Sequence, residues 1–184
     1  MIAYSLFCHP ASPCFSVGTL EVAVAPRADG GLILRYRLTG HMAALRLPEA
    51  MTPGPADGLW RHSCFEAFMA VAGSPAYREF NFSPSGQWAA YAFSDYRQRA
   101  ESRTPSVAPT IALRRFPDRL ELEATLAPAL LPEGVNLELG LNAVIEAADG
   151  RLSYWALKHP AGAPDFHLRK GFMPMPQLSF ESTP

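Results

Sequence analysis

The sequence predicts an all-β fold: a two-sheet antiparallel β-sandwich, immunoglobulin-like or jelly-roll-like, with about ten strands and little helix. Three observations carry this expectation. Apolar and polar residues alternate with a period of two in one short run after another. Eighteen prolines and thirteen glycines recur between those runs instead of gathering in one tract, which suits short strands joined by turns. No stretch shows the apolar stripe of an amphipathic helix, and no internal repeat is visible.

The chain of 184 residues reads as one domain, 1–184, with its core at about 16–172 and enough length to bury a real interior. Residues 1–15, with Pro10 and Pro13, read as an irregular lead-in strand. Val17 to Ala25 and Leu32 to Leu38 are strands joined by Arg27-Ala28-Asp29-Gly30-Gly31, where Asp-Gly between two alternating runs signals a hairpin. In the second run Leu32, Leu34, Tyr36 and Leu38 share a face, and Arg35 and Arg37 take the other. Residues 48–59 hold three prolines and two glycines and read as a surface loop ending at Leu59-Trp60.

The stretch from Trp60 to Arg97 is the richest in mixed aromatic and polar residues. In its first strand Phe65, Ala67, Met69 and Val71 face one way, and His62, Cys64, Glu66 and Phe68 face the other. In the next, Tyr77, Glu79, Asn81 and Ser83 oppose Arg78, Phe80 and Phe82. The turn Ser83-Pro84-Ser85-Gly86 leads into a return strand with Trp88, Ala90 and Ala92 opposite Ala89, Tyr91 and Phe93. Asp95 to Pro109, with Arg97, Arg99 and Arg103, reads as a mobile polar loop. Thr110 to Arg115 and Leu120 to Thr125 flank another hairpin turn, and residues 127–134 hold one helical turn at most. Val135 to Ala147 alternates cleanly, with Leu137, Leu139, Leu141, Ala143 and Ile145 inward and Glu138, Asn142 and Glu146 outward. A turn at Ala148 to Arg151 enters Leu152 to Leu157, and Lys158 to Phe172 closes as a polar loop.

Bulk composition excludes several classes. At 48% hydrophobic, 18% charged and net charge −1, the chain has no basic field for nucleic acid and no acidic tail. Its start lacks the basic region of a signal peptide, and no run approaches the ~20 apolar residues of a membrane span. Three cysteines without a CxxC pair argue against a disulfide framework and for a reducing cytoplasm. Cys8, His9 and Cys14 lack a nearby fourth ligand, so no metal site is assigned to them. Cys64 shares a strand face with His62, as a nucleophile pair would, but a buried structural cysteine is the commoner case.

Four motifs carry a resemblance: LW-x(3)-CFE-x-F from Leu59, EFNFSPSGQWAAY-x-F-x-x-YR from Glu79, VIE-x-x-x-G-x-x-SYWAL from Val144 and HP-x(4)-DFH from His159. Together they resemble the DOMON-like superfamily, which includes the family-nine carbohydrate-binding modules, and most of all a bacterial subgroup of small DOMON-like proteins. The resemblance spans about residues 16–172. It implies two packed antiparallel sheets and sugar or haem ligands, with structural calcium in the sugar-binding relatives. Trp60 to Glu66 resembles a W-x-x-D-x-x-E element, but His62, Ser63 and Cys64 stand where the acidic residue belongs. Met42, Met69 and His167 are the nearest analogues of haem ligands and carry no supporting motif. No cofactor is therefore assigned.

The expected function is non-catalytic binding of a small polar ligand, a carbohydrate or sugar derivative, with no nucleic acid or membrane partner. Sugars offer C–H faces to aromatic rings and hydroxyls to planar polar side chains. The residues with that chemistry are Trp60, Glu66, Glu79, Asn81, Trp88, Arg97, Trp155, His159, Asp165 and His167. Each has a plainer alternative: the tryptophans as core, the strand polars as a wet sheet face, and a buried Glu neutralised by Arg97 or Arg78. Two further readings stay open, a metal-assisted enzyme built on His159, Asp165 and His167 and a haem module. No G-x-S-x-G, HExxH, P-loop or G-x-G-x-x-G motif is present.

Overall fold

The computed structural model describes residues 1–101 and 105–175; Arg103, expected in the polar loop, lies outside them. The strands in chain order begin with β1 (Ile2–Ser5), β2 (Phe7–Cys8), β3 (Val17–Pro26), β4 (Leu32–Gly40), β5 (Gly54–Pro55), β6 (Cys64–Val71) and β7 (Tyr77–Phe82). They continue with β8 (Gln87–Asp95), β9 (Gln98–Arg99), β10 (Thr110–Arg115), β11 (Arg119–Leu126), β12 (Leu137–Glu146), β13 (Leu152–Ala156) and β14 (Met173–Pro174). One sheet has five strands in the order β1-β3-β4-β11-β10. The other has nine, running β2-β13-β12-β6-β7-β8-β5, with β14 beside β12 and β9 beside β8. The all-β two-sheet sandwich predicted from the sequence is what forms. All pairings are antiparallel except the two-residue contact of β5 with β8. Among the described residues, helix is confined to four 3-10 turns of three residues each.

Three segments carry more structure than their composition suggested. The Pro/Gly-rich loop 48–59 contributes β5, which seals the edge of β8 through Gly54 and Pro55. The polar segment after Asp95 contributes β9, paired with the end of β8. The lead-in strand splits, so that β1 joins one sheet and β2 the other. Between them Leu6 points into the interior.

The period of two explains the core. Val22 and Val24 of β3, Leu34, Tyr36 and Leu38 of β4, and Leu120 and Leu122 of β11 meet the inward residues of the other sheet. Those are Phe65, Ala67 and Met69 of β6, Phe80 and Phe82 of β7, and Leu139, Leu141, Ala143 and Ile145 of β12. Each large side chain buried here contributes roughly 1.5–3 kcal/mol of transfer free energy. The single phenol in this layer, Tyr36, satisfies its hydroxyl by donating to the Glu66 carbonyl at 2.8 Å.

Candidate ligand-binding site

The same parity sends Glu66 and Phe68 of β6, Tyr77 and Glu79 of β7, and Tyr91 and Phe93 of β8 to the outer face of the nine-stranded sheet. Register aligns them in rows: Asn142, Glu66, Asn81 and Ala89 form one, and Gly140, Phe68, Glu79 and Tyr91 the next. Segment 158–172 folds back over this face. Phe166 and Phe172 pack on the cluster of Phe68, Ala70, Tyr77, Tyr91 and Phe93. Gly140 makes the seat for Phe172, since a Cβ there would lie 2.8 Å from the phenyl ring. What remains open is a concavity of roughly 590 Å³, walled by Trp60, Tyr91, Phe93, Tyr154 and Phe166, with Glu66 and Glu79 in its lining. That volume suits a small organic ligand.

The two glutamates sit on neighbouring strands one row apart. Glu66 is 2% exposed, and its Oε1 has no hydrogen-bond partner. Burial first, then the charge of Glu79, pushes its carboxyl well above the usual range. Glu79 accepts from Asn81 Nδ2 at 2.7 Å. Burial raises it, the Asn81 bond and then Arg99 and Arg97 oppose the rise, and it comes to about 7. The amide Nδ2 of Asn142, directly cross-strand from Glu66, is also unpartnered. Buried polar groups without partners are rare and call for an explanation.

The mouth of the concavity is held by charge pairs. Asp165 accepts from Arg97 at 2.9 Å, from Tyr96 at 2.5 Å and from the His167 amide at 3.0 Å. Burial pulls its carboxyl up, but these bonds outweigh burial and hold it below its ordinary value. Arg97 adopts a positive φ of 53°, a backbone state costly for a non-glycine residue and common where a site over-determines it. Arg99 stacks over the Tyr91 ring at 3.8 Å and lies 3.6 Å from Asp57, which also accepts the Tyr91 hydroxyl. His167 lies between Phe68 and Phe93, at 5.2 and 5.1 Å. Burial, followed by the Arg97 charge, lowers it to about 4, so it is neutral at pH 7.

Of the ten residues proposed from the sequence, Trp60, Glu66, Glu79, Arg97, Asp165 and His167 line this concavity. Trp60 is 37% exposed and meets Tyr91 edge to face at 5.8 Å. Asn81 lies beneath the floor, fully buried, where it orients Glu79. Three residues fall outside this concavity. Trp155 is 6% exposed between the sheets, because it pairs with inward-facing Ala143; its indole donates to Ser153 at 3.0 Å. Trp88 is 5% exposed opposite inward-facing Phe82. His159 lies against the Phe7 carbonyl at 2.8 Å and the ring of His9, apart from Asp165 and His167.

The competing structural pair is not made either. Arg97 holds Asp165, and Arg78 turns to the Leu130 carbonyl at 2.7 Å. Cys64 is sealed against Asn81, with its thiol pushed up by burial, while His62 pairs with Glu146 at 2.8 Å; they form no nucleophile pair. Among the described residues no three His, Cys, Asp or Glu side chains converge as metal ligands, so the His159/Asp165/His167 cluster does not assemble. The haem analogues do not converge: Met69 is core, Met42 packs on the core, and His167 Nδ1 faces Tyr77 Oη.

The sequence reading passed over Tyr91, Phe93, Phe68 and Tyr154. The signal for the first three was their shared parity with Glu79 and Glu66. For Tyr154 it was the inward face of Ala143 and Ile145, which fixes Trp155 inward and Tyr154 outward.

The fold has a counterpart of known structure. It is similar to the "putative carbohydrate-binding protein" from Bacteroides uniformis ATCC 8492, with a TM-score of 0.65 and 15% identity, over 95% of this chain and 85% of that one. At that identity the likeness concerns the fold. No protein-family model matches the chain, and a search of curated proteins gives no match. Among the described residues no helix is long and apolar enough to cross a membrane.

Proposed function

We propose that the concavity on the outer face of the nine-stranded sheet binds a sugar or sugar derivative without catalysis. In this reading the chain is one DOMON-like domain acting in the cytoplasm. The observation that carries the reading is the pairing of aromatic walls with a partly unpaired acidic floor. Trp60, Tyr91, Phe93, Tyr154 and Phe166 offer rings to C–H faces. Glu66 leaves a buried oxygen for which the described residues supply no donor, and a ligand hydroxyl supplies one. The similarity of fold to a "putative carbohydrate-binding protein" adds support, as do three cysteines that are free in the structure and suit a reducing compartment.

A thermal-shift panel of neutral, amino and acidic monosaccharides and nucleotide-sugars tests this. At least one should raise the melting temperature, by the mass-action stabilisation of a bound state. Trp60→Ala should abolish that rise while leaving the ligand-free melting temperature near the parent's. A panel without a single shift would sink the reading.

A further inference from the structure

The floor beside His167 holds more information than a polar surface, because its hydrogen-bond partners limit where the hydrogens can sit. Tyr77 Oη receives the Arg97 amide N–H at 3.1 Å and stands 2.8 Å from His167 Nδ1. Burial raises the phenol above its ordinary value, so it keeps its hydrogen. An amide N–H cannot accept that hydrogen, and among the described residues Nδ1 is the acceptor within its reach, so every group is satisfied when the phenol donates to Nδ1. A neutral imidazole that accepts at Nδ1 carries its own hydrogen on Nε2. Nε2 lies 4.0 Å from Glu79 Oε2, too far for a direct hydrogen bond. The other Glu79 oxygen is already taken by Asn81. The two atoms are nevertheless close enough for one further oxygen, about 2.8 Å from each, to bridge them from the side, and both residues line the concavity.

We propose that His167 and Glu79 form a hydroxyl-reading subsite, in which one ligand oxygen accepts from His167 Nε2–H and donates its hydrogen to Glu79 Oε2. Only a group that both accepts and donates completes the pair. A carbonyl or ether oxygen lacks the hydrogen, an ammonium lacks the lone pair, and a methylene lacks both. Phe93 beside the imidazole shares the concavity with Tyr91 and Tyr154, so the alcohol projects from a carbon skeleton whose C–H groups meet such rings. The ligand class is therefore a ring alcohol. This rests on the sugar-binding reading but is narrower: it says which polar group is recognised and how. Tyr77 acts as a positioning residue, since it sets the imidazole tautomer without touching ligand.

The acceptor role needs Glu79 ionised. Facing its carboxyl are Glu66 from β6, Tyr91 from β8, Arg97 and Arg99 around β9, Asp57 from the preceding loop and His167 from the covering segment. Measurements at pH 8 keep Glu79 charged.

The first test uses no ligand. Long-range proton–nitrogen correlation spectra of the ¹⁵N-labelled protein should show His167 as the Nε2–H tautomer from pH 6 to 8. Tyr77→Phe, which keeps the ring stacked on Phe93 at 4.7 Å, should convert it to a tautomer mixture. An Nδ1–H tautomer in the parent protein overturns the proposal. The second test adds cyclohexane-1,2-diol or cyclohexanone at pH 8. The diol should shift the His167 Nε2–H resonance and the ketone should not; equal shifts, or none, overturn the subsite whatever the sugar panel shows. The third takes the best sugar from that panel and its monodeoxy analogues by calorimetry. One position should lose at least tenfold in affinity, and Glu79→Gln should erase that difference. If every deoxy analogue binds within threefold of its parent, the gap holds water alone and the subsite is refuted. A sugar panel that fails while the diol succeeds removes the sugar reading and leaves the subsite standing.

Discussion

The outer faces of the two sheets share one alternation and meet different fates. On the five-stranded sheet the register places Glu21, Arg37, Glu121 and Arg114 in one row, and Arg35 reaches Glu123 in the next. Opposite charges alternate along the row and these side chains sit largely in water, as polar residues on an open antiparallel face do. On the nine-stranded sheet Glu66, Glu79, Asn81 and Asn142 occupy equivalent outward positions yet are buried. The difference is the segment 158–172, which lies over one face and, among the described residues, has no counterpart on the other. Alternation tells which way a side chain points. Whether water waits there is decided by a distant part of the chain.

Removing an aromatic from the covered face should show this most strongly. Phe68→Ala should cost about 3–5 kcal/mol in chemical denaturation, as for a core ring. A loss below about 0.5 kcal/mol would mean that this face behaves like the open one.

Next in size is the pH dependence of the buried acids. Glu79 rises from 4.5 to about 7 on folding, so its stabilising contribution is whole below pH 4.5 and disappears as pH climbs through 7. Glu66 acts in the same direction. His167, lowered from 6.5 to about 4, has the opposite sign: its contribution is present above pH 6.5 and lost as pH falls through 4. Above pH 6.5 the glutamates therefore act without that opposition, and stability should decline with rising pH. Glu79→Gln should recover on the order of 2–3 kcal/mol at pH 8, read from denaturation midpoints at pH 5, 6.5 and 8. A variant no more stable than the parent at pH 8 would show that the carboxyl is solvated after all.

The smallest effect belongs to the open face. Glu123→Ala breaks the Arg35 pair, whose partners are 52% and 37% exposed at the side chain, and should cost under ~1 kcal/mol, less in high salt. A larger, salt-insensitive loss would mean that something covers this face too.

Much of the architecture was legible before any coordinates. The alternation assigned Leu139, Leu141, Ala143 and Ile145, and Phe65, Ala67 and Met69, to inward faces that the structure keeps. What alternation within a single strand does not settle is the destination of Trp155 and Trp88. An indole is large enough to be core or clamp, and only its cross-strand partner decides which. Glu66 and Glu79 stood out as charges among phenylalanines, a real conflict with burial that pointed to the floor of the concavity. The partner expected for them, an arginine, went instead to Asp165. That choice depends on the path of segment 158–172, which has no periodicity to follow.

Gly140 gives this arrangement an adjustable setting. The depth of the concavity depends on how flat the covering flap lies, and the flap lies flat because one residue has no side chain beneath Phe172. Position 140 is thus a dial for aperture that lies outside the ring of residues a guest would meet. Gly140→Ala should push Phe172 outward and carry the covering segment with it.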